Sequence, residues 1–426
     1  MSQARDLIHD WNTAGHGGPF SVKPIYLNDE TLRDGLQSPT VCDPSIEDKI
    51  RILHLMEDLG IQMADIGLPG AGPRAHADVL ALAMEIATNK MKIRPNCAAR
   101  TTIPDIDPIV DVSQRAGIPI EAATFIGSSM IRQYVENWTI DDLMRKTEEA
   151  VTYTVRHGLP ATYVTEDTTR AFPETIRKLY TTAIRAGARH IVLTDTVGHA
   201  TPDGARALVS FVIENVVKPT GENVTIAWHG HNDRGLSVIN SLAALQAGAD
   251  VVHGCALGIG ERVGNTPMDQ LLVNLKLLGA IDNDLVKLKE YCETVSRACK
   301  TPIPAGYPVF GSDAFRTATG VHAAAIIKAL NKGETELANN VYSGVPSHLF
   351  GLQQIIDIGP MSGKSNVIFW LQHRGIEPTE ERVNAVFTRA KKSDRLLTED
   401  EVLAAMQDFK NAPLPSGKGG APKARG

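Results

Sequence analysis

From residue 25 the chain alternates short runs of apolar and β-branched residues with longer stretches whose apolar positions recur every three or four residues. That is the pattern of strands each followed by an amphipathic helix. Eight strand-like runs stand at residues 25–29, 63–67, 92–97, 120–125, 161–165, 190–194, 224–229 and 251–254, and segments such as 45–59, 141–157 and 173–186 read as helices with one buried face. Gly60, Gly117, Gly158, Gly187 and Gly248 each stand a few residues before the next strand, where a left-handed residue closes a helix. Eight such repeats in about 255 residues predict an α/β fold, a (β/α)₈ TIM barrel. A doubly wound open sheet is the alternative, but it would carry a glycine-rich turn after its first strand, where this chain is polar and charged.

Beyond a helix expected at 268–278 the pattern becomes irregular and rich in Pro and Gly over 301–308, then helical again at 314–330, 365–374, 380–392 and 399–410. The expected organisation is an N-terminal extension (1–24), a catalytic barrel (25–300), and a linker with a small, mainly helical C-terminal subdomain contributing to the active site (301–411). A tail (412–426) of Gly, Pro, Lys and Arg with few bulky apolar residues is expected to be disordered. At 426 residues the chain exceeds what one core usually holds.

Composition narrows the function. A balance of 43 basic and 49 acidic residues, −6 overall, argues against a nucleic-acid surface or a polybasic membrane anchor. No signal-peptide core and no run of eighteen apolar residues is present, so a cytoplasmic location is expected. Five cysteines without a C-x-x-C pair indicate reduced thiols rather than disulfides or a zinc knuckle.

Reactive side chains collect at the carboxyl ends of the strands, where barrel enzymes work. Strand one runs into NDETLRDGLQ (28–37), strand five into TED (165–167), strand six into TDT (194–196) and strand seven into HGHND (229–233). Residues two apart on a strand share a face, so His229 and His231 point together, with Gly230 adding no bulk between them. An isolated H-x-H is a weak signal, since histidines also serve as ordinary hydrogen-bonding residues. With a carboxylate from strand one it becomes a mixed nitrogen and oxygen site for a divalent ion. The segment GIGERVGN (258–265) lacks the Lys-Ser/Thr ending of a phosphate loop and reads instead as a tight turn bringing Asn265 up to the metal, with Glu261 and Arg262 as a local ion pair.

Three motifs in order, DETLRDGLQSP, TDTVGHATP and the stretch from HGHNDRGLS through GIGERVGNTP, resemble the isopropylmalate synthase and homocitrate synthase family of metal-dependent Asp-Arg-Glu TIM-barrel enzymes, clearly over 25–280 and weakly over 309–375. The resemblance implies Asp34, His229 and His231 as metal ligands with Asn265 completing or flanking the site. It places Arg33 on the acyl thioester oxygen, Glu166 as the glutamate of the Asp-Arg-Glu set, and Thr196 on the carboxylate of a 2-oxo acid. The stretch AFRTATGVH (314–322) fits a family pattern that makes His322 the general base, assisted by Tyr342. Acetyl-CoA would be the co-substrate, Mg²⁺, Mn²⁺, Zn²⁺ or Co²⁺ the metal, and a homodimer the assembly. The reaction implied is a Claisen condensation followed by thioester hydrolysis.

Leu36 stands where these synthases usually carry glutamate and the related hydroxymethylglutaryl-CoA lyases often carry leucine, whereas the GIGERVGN loop and the His322 pattern are synthase features. The pocket set Arg33, Gln37, Ala123, Val164 and Thr196 departs from isopropylmalate synthases at two positions. Ala123 replaces a usual histidine and Val164 a usual serine, so the pocket gains room and loses hydrogen bonds. An apolar acceptor such as phenylpyruvate, giving benzylmalate, or 2-oxoisovalerate is expected. A dicarboxylate would need a pocket arginine, for which Arg170 and Arg100 are the candidates. Homocitrate or citramalate synthesis, a lyase reaction and a non-enzymatic metal-binding barrel are the other readings. Without the further regulatory domain that feedback-inhibited isopropylmalate synthases usually carry, no leucine-type inhibition is expected.

Overall fold

The structure is a computed structural model that describes residues 7–12 and 23–411. The expected tail, 412–426, and most of the expected N-terminal extension lie outside the described residues. Eight parallel strands, β1 (Tyr26–Asp29), β2 (Met63–Asp65), β3 (Arg94–Arg100), β4 (Glu121–Gly127), β5 (Ala161–Glu166), β6 (His190–Asp195), β7 (Thr225–Gly230) and β8 (Val251–Gly254), form a closed barrel in sequence order. Closure comes from β8 pairing with β1, Tyr26 opposite Val251 and Asp29 opposite Gly254. A helix follows every strand, and the reasons they start where they do are local. Ser45 and Thr201 accept backbone N–H bonds from Asp48 and Gly204, Thr139 forms a capping box with Asp142, and Pro73, Pro173 and Pro202 open three helices. The five glycines expected to close helices all adopt positive φ.

The expected TIM barrel is therefore the observed fold. β3 starts and ends later than its expected range, 92–97, because the run continues to Arg100 with every residue from Pro95 to Ala99 buried. Inside the barrel Met63, Val192, Ala227 and Val251 make one apolar layer, with Val164 packed on it. Outside, residues such as Ile52, Leu53, Leu55 and Met56 are fully buried on their helix, each contributing about 1.5–3 kcal/mol.

A seam of hydroxyls ties the ends of β5 and β6. Thr165 Oγ1 lies 2.7 Å from both Tyr180 Oη and Thr168 Oγ1, and Thr194 N donates to Thr168 Oγ1 at 3.0 Å. Asp167 N donates to Thr196 Oγ1 at 2.8 Å, and Tyr180 Oη donates to Val192 O at 2.6 Å. All but Thr196 are buried, so the buried hydroxyls satisfy one another and the backbone.

The described residues divide into two compact units, with the barrel inside residues 10–304. The C-terminal unit carries helices Gly320–Asn331, Thr335–Asn340, Lys364–His373, Glu380–Lys391 and Glu399–Asn411, together with β9 (Arg316–Thr317) and β10 (Ile355–Ile356), which pair in parallel. The helix expected at 314–330 begins only at Gly320, because Arg316 and Thr317 are drawn into the pairing with β10. The unit has its own core, in which Val367, Trp370, Leu371, Val383, Val386 and Val402 pack together. Among the described residues no helix is long and apolar enough to cross a membrane.

Candidate active site

β1 ends at Asp29, and the turn that follows carries Arg33 and Asp34. Glu30 N donates to Gly254 O on β8 at 2.8 Å, and Gly35 N donates back to Glu30 O at 3.0 Å, which fixes the turn against the strand end. On β7 and just past it stand His229 and His231. Asp34 Oδ2 lies 3.3 Å from His229 Nε2 and 3.6 Å from His231 Nε2, and the two imidazole nitrogens are 3.4 Å apart. All three residues are buried.

Ligands held about 2.0–2.2 Å from one divalent ion have mutual spacings of this size. The donor chemistry agrees. Burial, reinforced by His229, pulls His231 down to about 4, so it presents a lone pair at neutral pH. Burial opposes charge on Asp34, but Arg33 and the two histidines more than offset it and hold the carboxyl well below its usual range. His229 Nδ1 faces Glu30 Oε1 at 3.5 Å, and its Nε2 is turned toward Asp34. Asn265 is the bridge partner of His231, and its Oδ1 is buried without a hydrogen-bond partner among the described residues. The glycine-rich loop puts it there. Asn265 N donates to Gly258 O at 3.0 Å, and at Gly264, with φ +99°, a Cβ would stand 1.8 Å from that same oxygen. These residues fit a divalent cation.

A second group, Glu30, His229 and His253, also brings potential ligands together. Its glutamate is already engaged, one oxygen on His253 Nδ1 and the other on Arg33 Nη2, so it serves to orient His229 and Arg33.

Arg33 is fenced by carboxylates. Its Nε donates to Asp65 Oδ2 at 2.8 Å, Nη2 donates to Glu30, and Nη1 lies 3.5 Å from Asp34 Oδ1. Burial works against its charge, but Asp34 and Asp65 outweigh that. Three carboxylates around one guanidinium leave an excess of negative charge that a divalent ion would neutralise. Two acids thus grip Arg33, Asp65 of β2 and Glu30 of the turn after β1. Glu166, the expected third member of the set, has Arg132 as its ion-pair partner at 3.8 Å, and burial pushes its carboxyl up, partly opposed by Arg132.

One cavity of about 400 Å³ in the barrel is lined by Arg33, Asp34, Gln37, Ala123, Val164, Glu166, Thr196, His229 and His231, so it gathers all the expected barrel residues except Asn265. Neither Arg170 nor Arg100 is among its lining residues; each is forked onto its own aspartate, Asp167 and Asp105 respectively. Arg262 does line it, and its expected pairing with Glu261 is corrected. The guanidinium is held by Asp233 at 2.9 and 3.1 Å and by Thr196 O at 2.6 Å, because the loop turns Arg262 into the left-handed region and back over the ends of β6 and β7. His322 and Tyr342 belong to the C-terminal unit, where both are exposed and their rings stack at 4.0 Å.

Sequence reasoning missed Glu30, Asp65, Glu121, His190 and His253 as lining residues. For Asp65, Glu121 and His253 the available signal was an ionisable residue inside a strand between apolar or small neighbours, which needs a counter-charge or a ligand.

Residues 24–296 match the profile of the HMGL-like family. A homocitrate synthase, AksA, of Methanopyrus kandleri is 31% identical over 86% of this chain and 87% of its own, and a 2-isopropylmalate synthase of Pyrococcus furiosus is 30% identical over 93% of this chain and 78% of its own. Among solved structures, the HMG-CoA lyase from Brucella melitensis superposes with a TM-score of 0.55 at 18% identity, over 66% of this chain and all of that one. At that identity the likeness speaks for the fold alone.

Proposed function

Because the chain belongs to the HMGL-like family, we propose that it is an acyltransferase that condenses acetyl-CoA with a 2-oxo acid and then hydrolyses the thioester to give a 2-substituted malate and free CoA. The observation that carries this reading is the convergence of Asp34, His229 and His231 within ligand spacing beside the fenced guanidinium of Arg33. Synthases as relatives at about 30% identity over most of the chain support it further.

A divalent ion held by Asp34, His229 and His231, flanked by Asn265, would polarise the ketone of the acceptor. Arg33, oriented from behind by Asp65 and Glu30, steadies the enolate oxygen of the thioester as the methyl proton leaves. His322 is the base for that proton, with the Tyr342 ring stacked on it. The methyl carbon then bonds to the ketone carbon, and water cleaves the thioester to a carboxylate and a thiol. Thr196 bonds the acceptor carboxylate, and Glu166 and Gln37 serve as polar groups for the reacting end. Ala123 and Val164, joined by Ala98 and Val192, give the acceptor side chain a roomy apolar passage. This favours a bulky substituent over a small one. A homodimer in which the C-terminal unit of one subunit completes the partner's site is part of the proposal.

The test is thiol release by purified protein against a panel of 2-oxo acids, with and without chelator. Release that requires both substrates and is lost on metal removal is expected. Full activity in metal-free buffer would overturn the metal assignment, and acetyl-CoA released from a hydroxyacyl-CoA alone would favour the lyase reading.

A further inference from the structure

We propose that the acceptor's far end carries a hydrogen-bond donor, received at the floor of the barrel cavity by Glu121 and His190. The inference rests on the reading above that the oxo-acid end of the acceptor sits at Asp34, His229 and His231.

The same cavity that holds those three residues is lined farther down by Glu121, Thr162 and His190. The register gives the depth. Thr194 of β6 lies level with His229 of β7, and His190 stands four residues lower on the same strand. At about 3.3 Å per residue, inclined as barrel strands are, the floor lies roughly 10 Å below the imidazoles. On one side the wall between is made of the small or apolar side chains Ala98, Ala123, Phe125, Val164 and Val192, with Asn28 and Asn96 on the other. An acceptor filling this space has an apolar shaft and a tip that meets the floor.

The floor accepts hydrogen bonds more than it donates them. Glu121 Oε1 lies 3.2 Å from His190 Nδ1, and Thr162 Oγ1 is 3.2 Å from the same nitrogen. A carboxylate only accepts, and a neutral imidazole whose Nδ1–H is directed at a carboxylate keeps a lone pair on Nε2. His190 Nε2 is buried with no hydrogen-bond partner among the described residues. His253, held through Nδ1 by Glu30, also lines the cavity, and its Nε2 is likewise buried without a partner. A hydrocarbon tip leaves these acceptors unmet in a buried place. A carboxylate tip sets like charge against Glu121. A hydroxyl, phenol or amide N–H supplies what is missing, so the acceptor class narrows to 2-oxo acids with a long or aromatic shaft ending in a neutral donor.

Two matched pairs test this on the wild-type protein: 4-hydroxyphenylpyruvate against phenylpyruvate, and 6-hydroxy-2-oxohexanoate against 2-oxohexanoate, with 2-oxoadipate as the carboxylate-tipped comparison. In at least one pair the hydroxyl should raise kcat/KM for thiol release by about tenfold or more, and Glu121→Leu should shrink that ratio to within about threefold. The wild-type comparison stands even if the variant fails to fold. Equal rates within both pairs, or a preference for 2-oxoadipate, overturn the assignment of the floor and leave the acyltransferase reading intact. No thiol release with any acceptor overturns both.

Discussion

Asp29 shows how far burial can outweigh hydrogen bonds. Desolvation pushes it up to about 6, although Thr31 and Tyr291 bond its carboxylate. A carboxyl with a raised folded-state pKa binds its proton more tightly in the native protein, so the contribution of Asp29 to stability is greatest at low pH and declines as pH rises from about 4 to about 6. The shift of about two units corresponds to about 3 kcal/mol. Urea denaturation should show the wild type losing about that much relative to Asp29→Asn between pH 4 and pH 7; parallel profiles for the two proteins would refute it. Glu30 acts on its neighbours' orientation. Glu30→Gln weakens its hold on His229 and Arg33, and metal affinity measured by chelator competition should fall about 10- to 100-fold. Asp34, His229 and His231 were readable in the sequence because motif and strand periodicity coincide there. Asp65 was not, since a carboxylate between Ala64 and Ile66 shows that a counter-charge is needed but not which one, and only the contact with Arg33 reveals its work.

Elements were legible where two independent signals agreed. The barrel strands lie close to the expected runs because β-rich segments alternate with helices closed by glycine, and the eight-fold repetition leaves few alternatives. Between 314 and 320 the periodicity alone suggested helix, and a long-range pairing with residues forty positions away decided otherwise, which no local pattern encodes. The loop after β8 is the element on which the site depends most. Gly264 admits no side chain there, so Gly264→Ala should displace Asn265 and lower turnover by about 100-fold or more while the far-ultraviolet circular dichroism stays that of the barrel. Unchanged turnover in a well-folded variant would show that the loop does not hold the site.

For the whole molecule, the proposed exchange between subunits makes a quantitative forecast. Asp34→Ala and His322→Ala proteins, each inactive alone, should recover up to about a quarter of wild-type activity when co-expressed, since half the dimers are hybrids with one intact site. No recovery would mean that each subunit supplies its own histidine. The barrel also sets where its selectivity can change. In the hydroxyl seam between β5 and β6 each buried group leans on the next, from Tyr180 through Thr165 and Thr168 to Thr194. Removing one oxygen strands its neighbours, so that side of the barrel is a poor place for drift. New acceptor preferences are expected to arise at inward positions such as Ala98 and Ala123, where a side chain can grow or shrink without asking permission of a chain of others.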